Sequence, residues 1–184
     1  MNHGALIAIV IIAVAIVIVF ALFAIRKRRS RQLRERFGPE YDRVVRKEGD
    51  VRKAEGVLEL RARRREKLQL RPLSPADKAS FANRWNEVQA QFVDDPRGAV
   101  TVADGLVGEA MQARGYPLSD FEQRAADLSV DYPDVIENYR AGHDIALRHS
   151  RGQASTEDLR RAMVHYRTLF QQLLETDQLQ RKGA

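Results

Sequence analysis

Apolar and polar positions alternate along this chain in four different ways, and each predicts a different kind of segment. Ala5 to Ile25 is an unbroken run of 21 uncharged, almost wholly apolar residues. At about 1.5 Å per residue, such a helix spans roughly the 30 Å hydrocarbon core of a bilayer. The run ends abruptly in Arg26-Lys27-Arg28-Arg29-Ser30-Arg31. From Pro39 to Leu70 charge dominates, over a thin apolar stripe of Tyr41, Val44, Val51 and Leu58. Val44, Val51 and Leu58 recur by sevens, as in a coiled coil, but Glu48 and Glu55 occupy the intervening positions. This predicts a charged helical stalk over 39–70 that either self-associates or lies as a single helix.

After Arg71-Pro72-Leu73-Ser74-Pro75 the pattern becomes amphipathic and helical. Phe81, Trp85, Val88 and Phe92 fall on one helix face, behind Ser74 as N-cap and Pro75 at the first helical position. A second helix over about 98–113 places Val102, Ala103, Leu106, Val107, Ala110 and Met111 on one side. Ser119 and Glu122 are spaced as a capping box for a short third helix. Tyr132-Pro133 starts a fourth, with Val135, Ile136, Tyr139, Ile145 and Leu147. Ser155 and Asp158 open the last, with Leu159, Met163, Tyr166, Phe170, Leu173 and Leu174. No segment alternates with period two for long enough to form a strand. The predicted fold is all-α: one transmembrane helix, a long charged juxtamembrane helix, and a compact antiparallel bundle of about five helices. The segments are 1–4 outside the membrane, 5–25 spanning it, 26–71 as basic stalk and 72–184 as acidic bundle.

The flanks of the apolar run decide between a retained anchor and a cleaved signal peptide. A signal peptide carries its basic residues before a shorter apolar core. Here Met1-Asn2-His3-Gly4 holds no Lys or Arg, and the basic cluster follows the run. Positive charge beside a membrane helix stays cytoplasmic. The expected topology is therefore single-pass in a bacterial inner membrane, with the N-terminus outside and the C-terminal domain cytoplasmic. The absence of cysteine agrees with a reducing compartment.

The net charge of +6 is unevenly spread. Residues 26–71 hold 18 Lys and Arg against 8 Asp and Glu, whereas residues 72–184 hold 13 against 17. Arg26, Lys27, Arg28, Arg29, Arg31, Arg34 and Arg36 lie within about a Debye length of anionic headgroups, each worth on the order of 1 kcal/mol there. Arg61 to Lys67 lies further away, but no aromatics are interleaved for base stacking, so nucleic acid is not the expected partner.

Side chains suited to catalysis are scattered. His143 and His149 are six apart and do not share a helix face, and His165 lies off the apolar stripe of its helix. No metal-ligand spacing, serine-nucleophile motif or phosphate loop occurs; Gly105-Leu106-Val107-Gly108 lies within a helix. No cofactor is expected. Asp94, Asp95, Asp104, Asp127, Asp131 and Asp134 are assigned mostly to helix capping. Trp85, Tyr139 and Tyr166 are assigned to the core. Tyr116 and Tyr132, each before a proline, are the expected surface anchors, with Asp94 and Asp95 as further partner contacts.

Arg36-Phe37-Gly38-Pro39-Glu40-Tyr41-Asp42, Phe92-Val93-Asp94-Asp95-Pro96, Arg114-Gly115-Tyr116-Pro117 and Ser155-Thr156-Glu157-Asp158-Leu159-Arg160 occur in an order that resembles a group of small bacterial proteins described as hypothetical membrane or secreted proteins. The resemblance implies a bacterial origin and a single anchor followed by a helical domain. It implies no activity. The expected function is a membrane-tethered, non-enzymatic interaction module with a lipid and a protein partner. The alternatives are a structural self-assembler joined through 39–70, and an enzyme with a site near 94–96 and 115–117.

Overall fold

The computed structural model describes residues 3–117 and 119–175, without the side chains of residues 3 and 5–10. Among the described residues the chain is all-helical, with eight helices and no strand. They are α1 (His3–Phe37), α2 (Pro39–Glu48), α3 (Val51–Glu66), α4 (Pro75–Asp94), α5 (Pro96–Ala113), α6 (Phe121–Asp131), α7 (Ile136–Ser150) and α8 (Thr156–Glu175). The chain forms two compact units, Met1–Leu58 and Glu59–Ala184, which divide within α3.

In the first unit, α1 runs without a break from the apolar segment through the basic cluster. Its described apolar residues Ile11 to Ile25 are exposed on all sides, apart from half-buried Ala24. Among the described residues no helix is long and apolar enough to cross a membrane. The expected span over 5–25 includes residues 5–10, whose side chains lie outside the described set. Beyond the basic cluster the unit is held by polar contacts as well as by buried Phe37, Tyr41 and Val44. The Tyr41 hydroxyl donates to Glu55 at 2.9 Å, and Ser30 donates to the same carboxylate. The Arg34 guanidinium lies 4.9 Å from the centre of the Tyr41 ring and 3.7 Å from Asp42.

The stalk over 39–70 is not one helix. Gly49 ends α2 in the left-handed region at φ 68°, and the Asp50 carboxylate accepts from the Lys53 amide at 2.9 Å to start α3. The heptad series is interrupted with it: Val44 and Leu58 are buried, but Val51 is 47% exposed. A single helical seam cannot run unbroken through the helix break at Gly49, so the heptad spacing is not continued as one stripe.

In the second unit α4 to α8 surround one core, with α4 against α5, α5 against α8, and α7 against α8. The helix starts are set by local chemistry. Ser74 accepts from the Asp77 amide at 3.0 Å, and Ser155 with Asp158 forms a reciprocal capping box. Asp95 closes α4 and caps α5, accepting from the Gly98 amide at 2.9 Å. The third helix is capped one residue later than its spacing suggests: Asp120, not Ser119, accepts from Gln123 at 2.8 Å. Trp85 stacks on Phe170 at 4.8 Å, and Phe81 meets the same ring edge-on at 6.3 Å. Val102 and Leu147, expected inside, are each 43% exposed, because α5 turns Ala99, Val100 and Ala103 inward and α7 turns Ile136, Tyr139 and Ile145.

Candidate functional site

The basic residues expected to meet lipid headgroups lie along α1. Arg26, Lys27, Arg28, Arg29, Arg31, Arg34 and Arg36 are all exposed. Arg31 pairs with Glu35 at 2.8 Å, one turn away on the same helix.

The second basic cluster has a different role. Arg61, Arg64 and Arg65 recur at helical spacing on the last turns of α3 and reach α6. Arg65 Nε donates to both oxygens of Asp131, at 2.7 and 2.9 Å. Arg64 lies 3.2 Å from Asp127, and Arg61 donates to the Ser129 hydroxyl at 3.2 Å. Burial raises the pKa of Asp127 despite the Arg64 charge and the Gln123 hydrogen bond beside it. The acids of α6 therefore anchor α3, where capping had been the expected role.

Tyr116 and Tyr132 are not surface anchors. They are 2% and 5% exposed, and the Tyr116 hydroxyl donates to Asp131 at 2.6 Å, completing the Arg65 site. Burial and the Asp131 charge push the Tyr116 phenol well above its ordinary value, so it stays a donor. The junction before it folds inward because Arg114 is fully buried and donates to the Leu173 carbonyl at 2.6 Å, in the last turn of α8. A cation there opposes the negative end of the helix dipole. Asp94 is exposed; Asp95 is also exposed and serves as the cap described above.

Two further features went unread in the sequence. Asp104 on α5, Arg124 on α6, Tyr139 and His143 on α7 and Tyr166 on α8 converge in the bundle. Each contributes a buried polar atom that has no hydrogen-bond partner among the described residues. Burial, then the Asp104 charge, raises both phenols, so the tyrosines stay neutral donors facing a carboxylate. Burial lowers His143, whose ring lies flat on Phe121 at 3.5 Å between centroids. Space for the cluster comes from two glycines. A Cβ at Gly142 would lie 3.3 Å from the Tyr166 ring, and one at Gly108 would lie 3.1 Å from the Arg124 guanidinium. Among the described residues no group of side chains is arranged to hold a metal ion.

The other feature is an open groove of about 190 Å³ between α4 and α8. Trp85, Gln89 and Phe92 line it from α4, and Arg160, Met163, Val164 and Arg167 from α8. Its floor is apolar and its charges are both positive, although the surrounding bundle is acidic overall. Arg160 is held by Glu157 at 2.7 Å, whereas Arg167 has no ion-pair partner among the described residues. Ligand pockets for small molecules usually run to about 300–1,000 Å³. This groove suits one or two side chains of another polypeptide. None of its lining residues belongs to the 94–96 or 115–117 junctions, although Phe92 lies two residues before Asp94.

No known family model, curated protein or solved structure matches the chain.

Proposed function

We propose that this chain is a membrane-tethered, non-enzymatic interaction module on the cytoplasmic face of a bacterial plasma membrane. In this reading residues 5–25 of α1 span the bilayer, residues 26–36 hold anionic headgroups, and the helical unit from Glu59 onward docks a protein through the α4/α8 groove. The observation that carries it is the exposure of α1. Its residues 11–25 present apolar side chains on every side of the helix and then meet the basic cluster directly. Monomeric soluble proteins rarely expose contiguous apolar patches above a few hundred Å². A bilayer is the solvent in which such a helix is stable, and the basic cluster sets its orientation. The bacterial setting rests on the resemblance of the Phe92–Pro96 and Arg114–Pro117 segments to small bacterial proteins described as hypothetical membrane or secreted proteins.

The test uses the absence of native cysteine. Gly4→Cys and Ser80→Cys are made separately in the full chain and treated with a membrane-impermeant maleimide on intact spheroplasts. Labelling of Cys at 4 alone, with both variants resisting alkaline extraction, is the expected result. Release by alkaline carbonate removes the tether, and labelling at 80 reverses the topology.

A further inference from the structure

We infer that the α4/α8 groove receives the Val93-Asp94 tip of a second copy of this chain. The inference rests on the groove being the docking surface proposed above, and it names the partner. Val93 is 81% exposed, a greater exposure than Phe20 at 74% has on α1. Nothing in its own helix requires an apolar residue there. It sits at the end of α4, with Asp94 exposed beside it. Asp94 has no ion-pair partner among the described residues, in contrast to Asp95, which is used as a cap. The tip thus offers an apolar side chain followed by an exposed carboxylate.

The groove offers the complement. Phe92, Met163 and Val164 form an apolar surface, Val164 being 51% exposed, and Arg167 supplies at the wall a guanidinium with no ion-pair partner among the described residues. A valine fits a 190 Å³ groove, and a carboxylate on its neighbour matches the Arg167 cation. Donor and acceptor lie close together in one chain, because Phe92 lines the groove and Val93 follows it. Two copies can therefore each insert the tip into the other's groove around a two-fold axis, the commonest closed arrangement. The interface is small, and tethering both copies in one membrane raises their effective concentration enough for a small contact to matter.

The test is trans-complementation in the full-length protein, purified in detergent and followed by sedimentation over a concentration series. The wild type is expected to dimerise. Arg167→Glu places carboxylate against Asp94 in both halves of the interface, and Asp94→Arg places guanidinium against Arg167. Each variant alone is expected to weaken the dimer at least about tenfold, since facing like charges are strongly unfavourable. An equimolar mixture restores opposite charges at both contacts and is expected to dimerise again as a heterodimer. Far-ultraviolet circular dichroism, which reads helix content and not the groove, reports that each variant is folded. A monomeric wild type, dimers that persist in both variants, or a mixture that fails to recover would each overturn the inference. None of these would affect the tether, which is read separately by alkaline extraction and labelling.

Discussion

Replacing Arg65 with Met should show how much of the second unit depends on the contact between α3 and α6. The side chains of Arg65 and Asp131 are 20% and 11% exposed, so the pair is largely but not wholly dry. Arg65 Nε spans both carboxylate oxygens, and Tyr116 supplies a third contact at 2.6 Å. Breaking a fully buried ion pair from one side costs about 3–5 kcal/mol, because a charge is left uncompensated. Here Tyr116 still serves Asp131 and some water reaches the site, so Arg65→Met should cost about 2–3 kcal/mol. Asp131→Asn should cost a similar amount, and the double variant should cost less than the sum by about 1.5 kcal/mol. Trp85 is the only tryptophan and is stacked in this core, so its fluorescence during urea unfolding of the detergent-solubilised chain reads this unit alone. A cost below about 0.5 kcal/mol with no coupling would make the pair equivalent to a surface ion pair and remove it as an anchor of α3 on α6.

Other sites give sharper local tests. Gly115→Ala forces a side chain onto φ +95° and puts a Cβ 2.6 Å from the Gln69 carbonyl oxygen; a loss of at least about 1–2 kcal/mol in the same unfolding assay is expected, and unchanged stability would contradict the described turn. Asp95→Ala should lower the unfolding midpoint through its lost cap while Asp94→Ala leaves it unchanged, and equal effects would show that the two acids are not divided between cap and contact. His143 has a lowered folded pKa, so the unfolded chain binds more protons just below its ordinary value near 6.5. Stability should therefore fall as pH drops from about 6.5 through the folded pKa, and His143→Gln should flatten that slope; an identical slope in the variant would place the titration elsewhere. The groups facing His143 are Asp104, Asp144 and Glu122, which favour its charged form, and Arg124, which opposes it.

The helical class and most helix ends are legible in the order of residues, because both follow from short-range physics. Ser74, Asp95 and the Ser155–Asp158 pair cap helices within three residues of themselves, and the period of Phe81, Trp85 and Val88 marks an inward face without reference to any partner. The assignment of Trp85, Tyr139 and Tyr166 to the core follows from the same periodicity. Which polar groups find each other across helices is settled by packing between distant segments. Arg61, Arg64 and Arg65 look like a free basic patch until α6 brings Asp127, Ser129 and Asp131 to them, at separations of more than 60 residues. Tyr116 and Tyr132 look like exposed junction residues until Arg114 and Asp131 draw that region inward. Asp104 reads as one more acid in an acidic domain, although it faces two tyrosines and a histidine from other helices. Periodicity records whether a position is inside; it carries no information about which side chain on another helix stands opposite. The groove belongs to the same class, since its two walls come from α4 and α8, at opposite ends of the bundle sequence, and exist only where those helices meet.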